Sequence, residues 1–286
     1  MTDPAPIFIG GMFKSGTSLL RALLGQHPSI ASGLETYWFD LDWTQRDSEA
    51  FERRIVTLAG LFEFPADEVF ALAHASADVR VFLDAFMARF AAQEGKPRWA
   101  EKTPGNIAHA ERILQLWPDA RLIHIVRDPR DVYASLVEAG KWNDADAFSS
   151  RWCEMIGAAA RLRESGCGAG RVLEIRYEAL TLDPLSTMRT VIGFLDEPWD
   201  DAVARYSGRD TDYDRVLAVT GKASTTLERL KQPLSSERVR LWPRILSPEQ
   251  IAAIHARARD AGLEAEMIRI EQETDALLGP VEHNNA

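Results

Sequence analysis

The chain of 286 residues has only two cysteines, Cys153 and Cys167. Two thiols make no disulfide framework. Both lie in or near a predicted helix, and free thiols in a reducing compartment are expected. No stretch approaches the roughly 18 apolar residues of a membrane span. The opening, MTDPAPIF, lacks a basic region followed by a long apolar one, so no secretory signal is expected. Internal repeats and low-complexity tracts are missing too. Positive charge is in deficit: 33 Lys and Arg against 43 Asp and Glu give a net charge of −10. That balance disfavours nucleic acid or an anionic membrane as a partner. A local cluster of cations can still hold an anionic cofactor. With 46% hydrophobic and 27% charged residues, the chain can bury a substantial core. A soluble cytoplasmic protein is the expectation.

The most informative stretch is residues 7–25, IFIGGMFKSGTSLLRALLG. Ile7-Phe8-Ile9 meets the pair Gly10-Gly11. The polar turn Lys14-Ser15-Gly16-Thr17-Ser18 then runs into Leu19, Leu20, Leu23 and Leu24, one buried helical face. Strand, glycine-rich turn and helix start together offer free N–H groups and a positive dipole end to a phosphate or sulfate. The turn nearly matches the P-loop pattern. Gly11 and Gly16 have its spacing and Ser18 its hydroxyl, but Thr17 stands where the lysine belongs and Lys14 is displaced. An ordinary strand-to-helix turn is the competing interpretation.

Ile30-Ala31-Ser32-Gly33 is a second short strand. It delivers Glu35 just past a strand end, where α/β sheets place ligands, or else Glu35 is a solvated charge. Residues 36–98 read as a helical insertion covering the sheet. Val79, Phe82, Leu83, Phe86, Met87 and Phe90 share one helical face. Tyr37, Trp38, Phe39 and Trp43 have no clean period. They either wall an acceptor pocket or fill the core. A strand near 98–102 ends at Glu101-Lys102-Thr103-Pro104, before a helix near 106–116. Lys102 therefore falls at the carboxyl edge with Lys14 and Glu35, unless it is a surface pair with Glu101.

Arg121–Val126 is the most strand-like run, a central parallel strand. Asp128-Pro129 has the signature of a helix cap and first turn, with the helix over 129–140. That gives Asp128 a structural job in place of a metal-holding one. Arg127 and Ser135 can present a guanidinium and a hydroxyl to one phosphate. Helices are expected over 145–165 and 184–195, a strand over 171–176, and a further element from Trp199. A mobile flap is expected over 209–235, a last helix from Pro248 to about 261, and a disordered tail over 280–286.

Lys14-Ser-Gly-Thr-Ser-Leu-Leu and Val-Arg127-Asp-Pro-Arg-Asp-Val-Tyr-Ala-Ser135 resemble the two cofactor motifs of sulfotransferases that use 3′-phosphoadenosine 5′-phosphosulfate. His27-Pro28, Gly33-Leu-Glu35-Thr, Glu101-Lys102-Thr-Pro and Leu173-Glu-Ile-Arg-Tyr177 extend the likeness toward the bacterial branch related to tyrosylprotein sulfotransferases. The motifs span roughly residues 7–245. The resemblance implies that Lys14, Ser15, Gly16, Thr17 and Ser18 wrap the 5′-phosphosulfate. It implies Arg127 and Ser135 on the 3′-phosphate and Tyr177 beside the nucleotide. Glu35 would be the base and Lys102 the support of the transferred group. Two places depart from the pattern. Ala139 stands where a further basic residue is common, with Lys141 nearby. The loop Thr220–Thr226, with Lys222 as its candidate cofactor ligand, and Lys231-Gln-Pro233 match only loosely.

The expected fold is one α/β domain over residues 1–279. It resembles a P-loop nucleotide kinase, with a parallel sheet of four or five strands flanked by helices and helical insertions over the active site. The expected function is sulfonate transfer to an acceptor hydroxyl on a small molecule, glycan, phenol, peptide tyrosine or lipid. No metal is required. Glu101 and His109 are rival bases. A small-molecule kinase using ATP and magnesium is the alternative enzyme, and a binding protein that has lost its chemistry the alternative class.

Overall fold

The computed structural model describes residues 4–142, 144–206 and 212–279. Five parallel strands form one sheet: β1 (Ile7–Gly10), β2 (Ile30–Ser32), β3 (Arg98–Lys102), β4 (Arg121–Val126) and β5 (Val172–Arg176). Their spatial order is β2-β3-β1-β4-β5. Ile7 pairs with Ala100 on one side and Arg121 on the other, which fixes β1 at the centre. The chain goes left from β1 to reach β2 and β3, then crosses to β4 and β5. The sheet therefore reverses direction at the carboxyl end of β1, the place where open α/β sheets bind ligands.

Alternation along the strands divides the core into two layers. Ile7 and Ile9 point to one side. There they meet Leu20, Leu23 and Leu24 of helix α1 (Thr17–Leu24), with Ile123 and Ile125. Phe8 points to the other side, against Phe39, Trp99 and Trp117.

The insertion between β2 and β3 consists of α2 (Glu49–Phe62), α3 (Ala66–Ala75) and α4 (Val79–Gln93). The expected stripe on α4 is buried from Val79 to Phe90. A short 3-10 turn, Trp38–Asp40, precedes these helices. Trp38 is fully buried, 4.4 Å from Phe82, so it and Phe39 are core. Tyr37 alone of that cluster turns toward Glu35.

The 106–116 region resolves into a 3-10 turn, Pro104–Ile107, and α5 (Ala110–Leu116). Helix α6 (Pro129–Glu138) starts as expected, with Asp128 accepting from the Arg130 N–H at 2.9 Å. Then follow α7 (Ala145–Ser165), α8 (Tyr177–Leu182) and α9 (Pro184–Phe194). The described part of the 209–235 segment contains α10 (Asp212–Thr220) and α11 (Thr225–Arg229); residues 209–211 lie outside the described residues, as does the tail 280–286. After α12 (Pro248–Asp260), a helix not expected from the sequence appears, α13 (Glu264–Leu278). Gly262, at φ 72°, separates the two. Few apolar residues of α13 are buried, chiefly Met267 and Ile270, so its periodicity is weak in the sequence. Among the described residues no helix is long and apolar enough to cross a membrane.

Candidate active site

The turn between β1 and α1 is shaped by its neighbours. Gly16 sits at φ 97°, and a Cβ there would meet the Tyr177 ring at 2.5 Å. Glycine lets the start of α1 lie against that ring. Ser15, Thr17 and Ser18 are buried in the turn. Arg127, the first residue after β4, donates to the Lys14 carbonyl at 2.8 Å and to the Arg238 carbonyl at 2.5 Å. Its guanidinium lies 4.4 Å from the Tyr177 ring centroid. Its Nε is buried without a hydrogen-bond partner among the described residues.

Lys14, Gly16, Arg127 and Tyr177 line a cavity of about 420 Å³, together with Ser135, Arg229 and Arg238. Ser135 Oγ accepts from Arg238 at 3.3 Å. Glu138 accepts from Arg238 at 2.7 Å and from Arg229 at 3.2 Å. Four cations, Lys14, Arg127, Arg229 and Arg238, thus face one cavity in a protein of net charge −10. Lys14 feels that crowding. Burial first, then Lys141, Arg229, Arg238 and Arg127, lower its pKa to about 8. Its ammonium is held by the hydroxyls of Thr225 at 3.1 Å and Thr226 at 2.9 Å.

The second half of the site lies at the ends of β2 and β3. Lys102 is buried, and its Nζ donates to Ser18 Oγ at 3.1 Å and to Glu35 Oε1. Glu35 Oε2 accepts from the Tyr37 hydroxyl. Burial alone would raise the pKa of Glu35. The charge and hydrogen bond of Lys102, the Tyr37 hydrogen bond and the charge of Arg21 outweigh it and hold the carboxyl below its usual value. Lys102 is shifted down, by burial before all else, with Glu35 opposing.

Both rival bases have other employment. Glu101 is fully buried and accepts from the Thr36 N–H and hydroxyl, the Thr103 hydroxyl and Asn106 Nδ2. Burial raises its pKa. It ties the Glu35 loop to β3. His109 stacks on Phe39 and meets Asp40 at 3.2 Å.

The structure gathers Lys14 to Ser18, Arg127, Ser135 and Tyr177 around one turn, with Lys102 and Glu35 joined to it through Ser18. Lys222 is not gathered. It is exposed behind Gly221, at φ 66°, which ends α10 and turns the chain outward. Lys231 also turns away, toward Asp214 and Tyr213, although Gln232 and Pro233 line the cavity. Sequence reasoning missed Arg229, Arg238 and the Tyr37 contact, and named Thr225 and Thr226 only as part of the loosely matching loop, with Lys222 as its candidate ligand. The departure at Ala139, where the resemblance implies a further basic residue, was the available signal for the two arginines.

The model of the sulfotransferase family matches residues 6–201. A protein-tyrosine sulfotransferase of Drosophila melanogaster is 30% identical over 257 residues, covering 82% of this chain and 46% of that protein. Protein-tyrosine sulfotransferase A of Caenorhabditis elegans is 26% identical over 271 residues, covering 86% and 63%. The chain therefore spans between about half and two thirds of these relatives' length. In fold it is similar to the sulfotransferase domain from the Synechococcus PCC 7002 olefin synthase. The TM-score is 0.65 at 21% identity, over 90% of this chain and 96% of that one. The domain from the curacin biosynthetic pathway gives the same TM-score at 19% identity. Because the family model covers well over half of its residues, the chain belongs to the sulfotransferase family.

Proposed function

We propose that this protein transfers a sulfonate group from 3′-phosphoadenosine 5′-phosphosulfate to an acceptor hydroxyl, with Glu35 as the general base. The observation that carries the reading is the convergence of four cations on one cavity beside a Lys102–Glu35 pair. The residues present fit a nucleotide with phosphates at both ends. The turn from Lys14 to Ser18 suits the 5′ group. Arg127, Ser135 and Arg238 suit the 3′-phosphate, and the buried, unpartnered Nε of Arg127 marks unused donor capacity there. The Tyr177 ring, against Gly16, is the face beside the nucleotide.

When bound, the nucleotide supplies an activated sulfonyl group that an acceptor oxygen attacks in line with the departing phosphate. Glu35 takes the acceptor's proton, a contribution on the order of 10²–10⁴ in rate. Its depressed pKa keeps it ionised and ready at neutral pH. Protonation of Glu35 then removes the counter-charge of Lys102. The Lys102 ammonium, fixed on Ser18 at the start of α1, is left free to stabilise negative charge developing on the sulfonyl and bridging oxygens. Lys14 and the turn's amides act on the same charge.

A kinase is disfavoured by Thr17, which opens α1 where the phosphate-binding lysine of a P-loop would stand. The relatives' names make a peptide tyrosine one candidate acceptor; the other hydroxyl classes share the chemistry. The free thiols Cys153 and Cys167 suit a cytoplasmic setting. Transfer of labelled sulfonate in excess chelator tests the reading. Turnover without added metal is expected. Calorimetric binding of ATP with magnesium in preference to 3′-phosphoadenosine 5′-phosphate, or loss of activity rescued by magnesium, would overturn it.

A further inference from the structure

Both oxygens of Glu35 are occupied, Oε1 by Lys102 and Oε2 by the Tyr37 hydroxyl. The two donors are not equally fixed. The Lys102 side chain is 2% exposed, and its other contact is Ser18 at the head of α1. Tyr37 is half-buried and sits at φ 54°, a left-handed conformation disfavoured for a residue with a Cβ. The Glu35 side chain is 29% exposed, so its free edge can be reached from solvent. An acceptor hydroxyl must place its proton on this same carboxylate. Of the two oxygens, only the one held by Tyr37 can be yielded without stripping a buried ammonium of its counter-ion.

We propose that the Tyr37 hydroxyl is an internal stand-in for the acceptor: it occupies Oε2 of Glu35 in the resting enzyme, and an entering acceptor hydroxyl takes its place. The inference rests on Glu35 being the base of sulfonate transfer. Tyr37 keeps its own proton, because burial and the neighbouring Glu35 charge push its pKa far above the usual phenol value. It therefore acts as a neutral donor throughout. The charges around the pair come from four elements. Lys102 of β3 and Arg21 of α1 act on Glu35, whereas Arg54 of α2 lies 5.1 Å from the Tyr37 ring centroid and Asp40 follows in the 3-10 turn. Tyr37 helps to hold Glu35 ionised, but it competes with every acceptor. Acceptors with few other contacts should suffer most from that competition.

Tyr37→Phe keeps the ring and removes the competitor. With saturating donor and a simple alcohol, acceptor KM should fall by several-fold to about tenfold, while nucleotide affinity stays at the wild-type value. The acid limb of kcat/KM should move to higher pH, because Glu35 loses a hydrogen bond to its charged form. Infrared titration of the Glu35 carboxylate, assigned by difference from Glu35→Gln, should show the same upward shift without any turnover. Fluorotyrosine at position 37 provides the opposite perturbation with the fold preserved. Its more acidic hydroxyl donates more strongly and should raise acceptor KM. An acceptor KM that fails to fall in Tyr37→Phe, or fails to rise with fluorotyrosine, overturns displacement. If instead wild type transfers no sulfonate, the functional reading fails. The infrared shift then still reports whether Tyr37 holds Glu35.

Discussion

The ammonium of Lys102 reaches Ser18 Oγ at 3.1 Å across 84 positions of sequence, and so joins the end of β3 to the first turn of α1. Through this contact the Glu35 carboxylate is tied to the turn between β1 and α1. Lys102→Met should therefore damage chemistry more than nucleotide binding, with kcat lowered by roughly 10²–10³-fold. Glu35 would lose the charge that lowers its pKa, so the acid limb of the pH profile should move up. Equal losses in nucleotide affinity and kcat, with an unmoved limb, would place Lys102 in the cofactor site alone.

Lys14 gives a second pH signature. With its pKa at about 8, its charge is present below that value and disappears as pH rises through it. Affinity for 3′-phosphoadenosine 5′-phosphate should fall over that window. Bound anion favours charged Lys14, so proton uptake on binding should be measurable by calorimetry in buffers of different ionisation heat. Lys14→Gln should bind more weakly and lose this pH dependence.

Arg238 tests the 3′-phosphate site more cleanly than Arg127, which also holds the carbonyl of Lys14. Arg238→Ala should weaken 3′-phosphoadenosine 5′-phosphate by about 10–100-fold, the scale of a charge-assisted hydrogen bond. Adenosine 5′-phosphate should bind wild type and variant alike. A matched loss for both ligands would remove Arg238 from that phosphate.

The parts of the site that were legible in sequence are local ones. Gly11, Gly16 and Ser18 fall within one turn, and Arg127 and Ser135 fall eight apart at a strand end and on the following helix. Such spacings survive folding unchanged. Lys102 and Glu35 were legible as residues at strand ends, because parallel strands deliver their ends to one edge. Arg229 and Arg238 were not. Nothing local marks them, and their place depends on how α11 and the segment after it fold back over Lys14. Lys222 was expected beside the cofactor, but it lies exposed after Gly221 and does not line the cavity. Tyr37 was hidden among four aromatic residues, three of which pack into the core or against it. Helix α13 was hidden by its charge, since its buried face is narrow.

Glu101 should prove structural. Glu101→Gln keeps the volume but places a donor among groups that already donate. Stability should fall by about 1–3 kcal/mol, the cost of spoiling buried hydrogen bonds. Thermal melting would record it. The folded fraction should retain its pH profile, whereas a base would lose its acid limb.

The central claim is that Glu35 removes the acceptor's proton during sulfonate transfer. Its direct test is single-turnover transfer from labelled 3′-phosphoadenosine 5′-phosphosulfate to an alkyl alcohol by wild type and Glu35→Gln, with nucleotide binding measured alongside. Nucleotide affinity near the wild-type value and a rate lowered by roughly 10²-fold or more are predicted, with a smaller defect for an acidic nitrophenol. Full turnover of the alcohol by Glu35→Gln would contradict the claim.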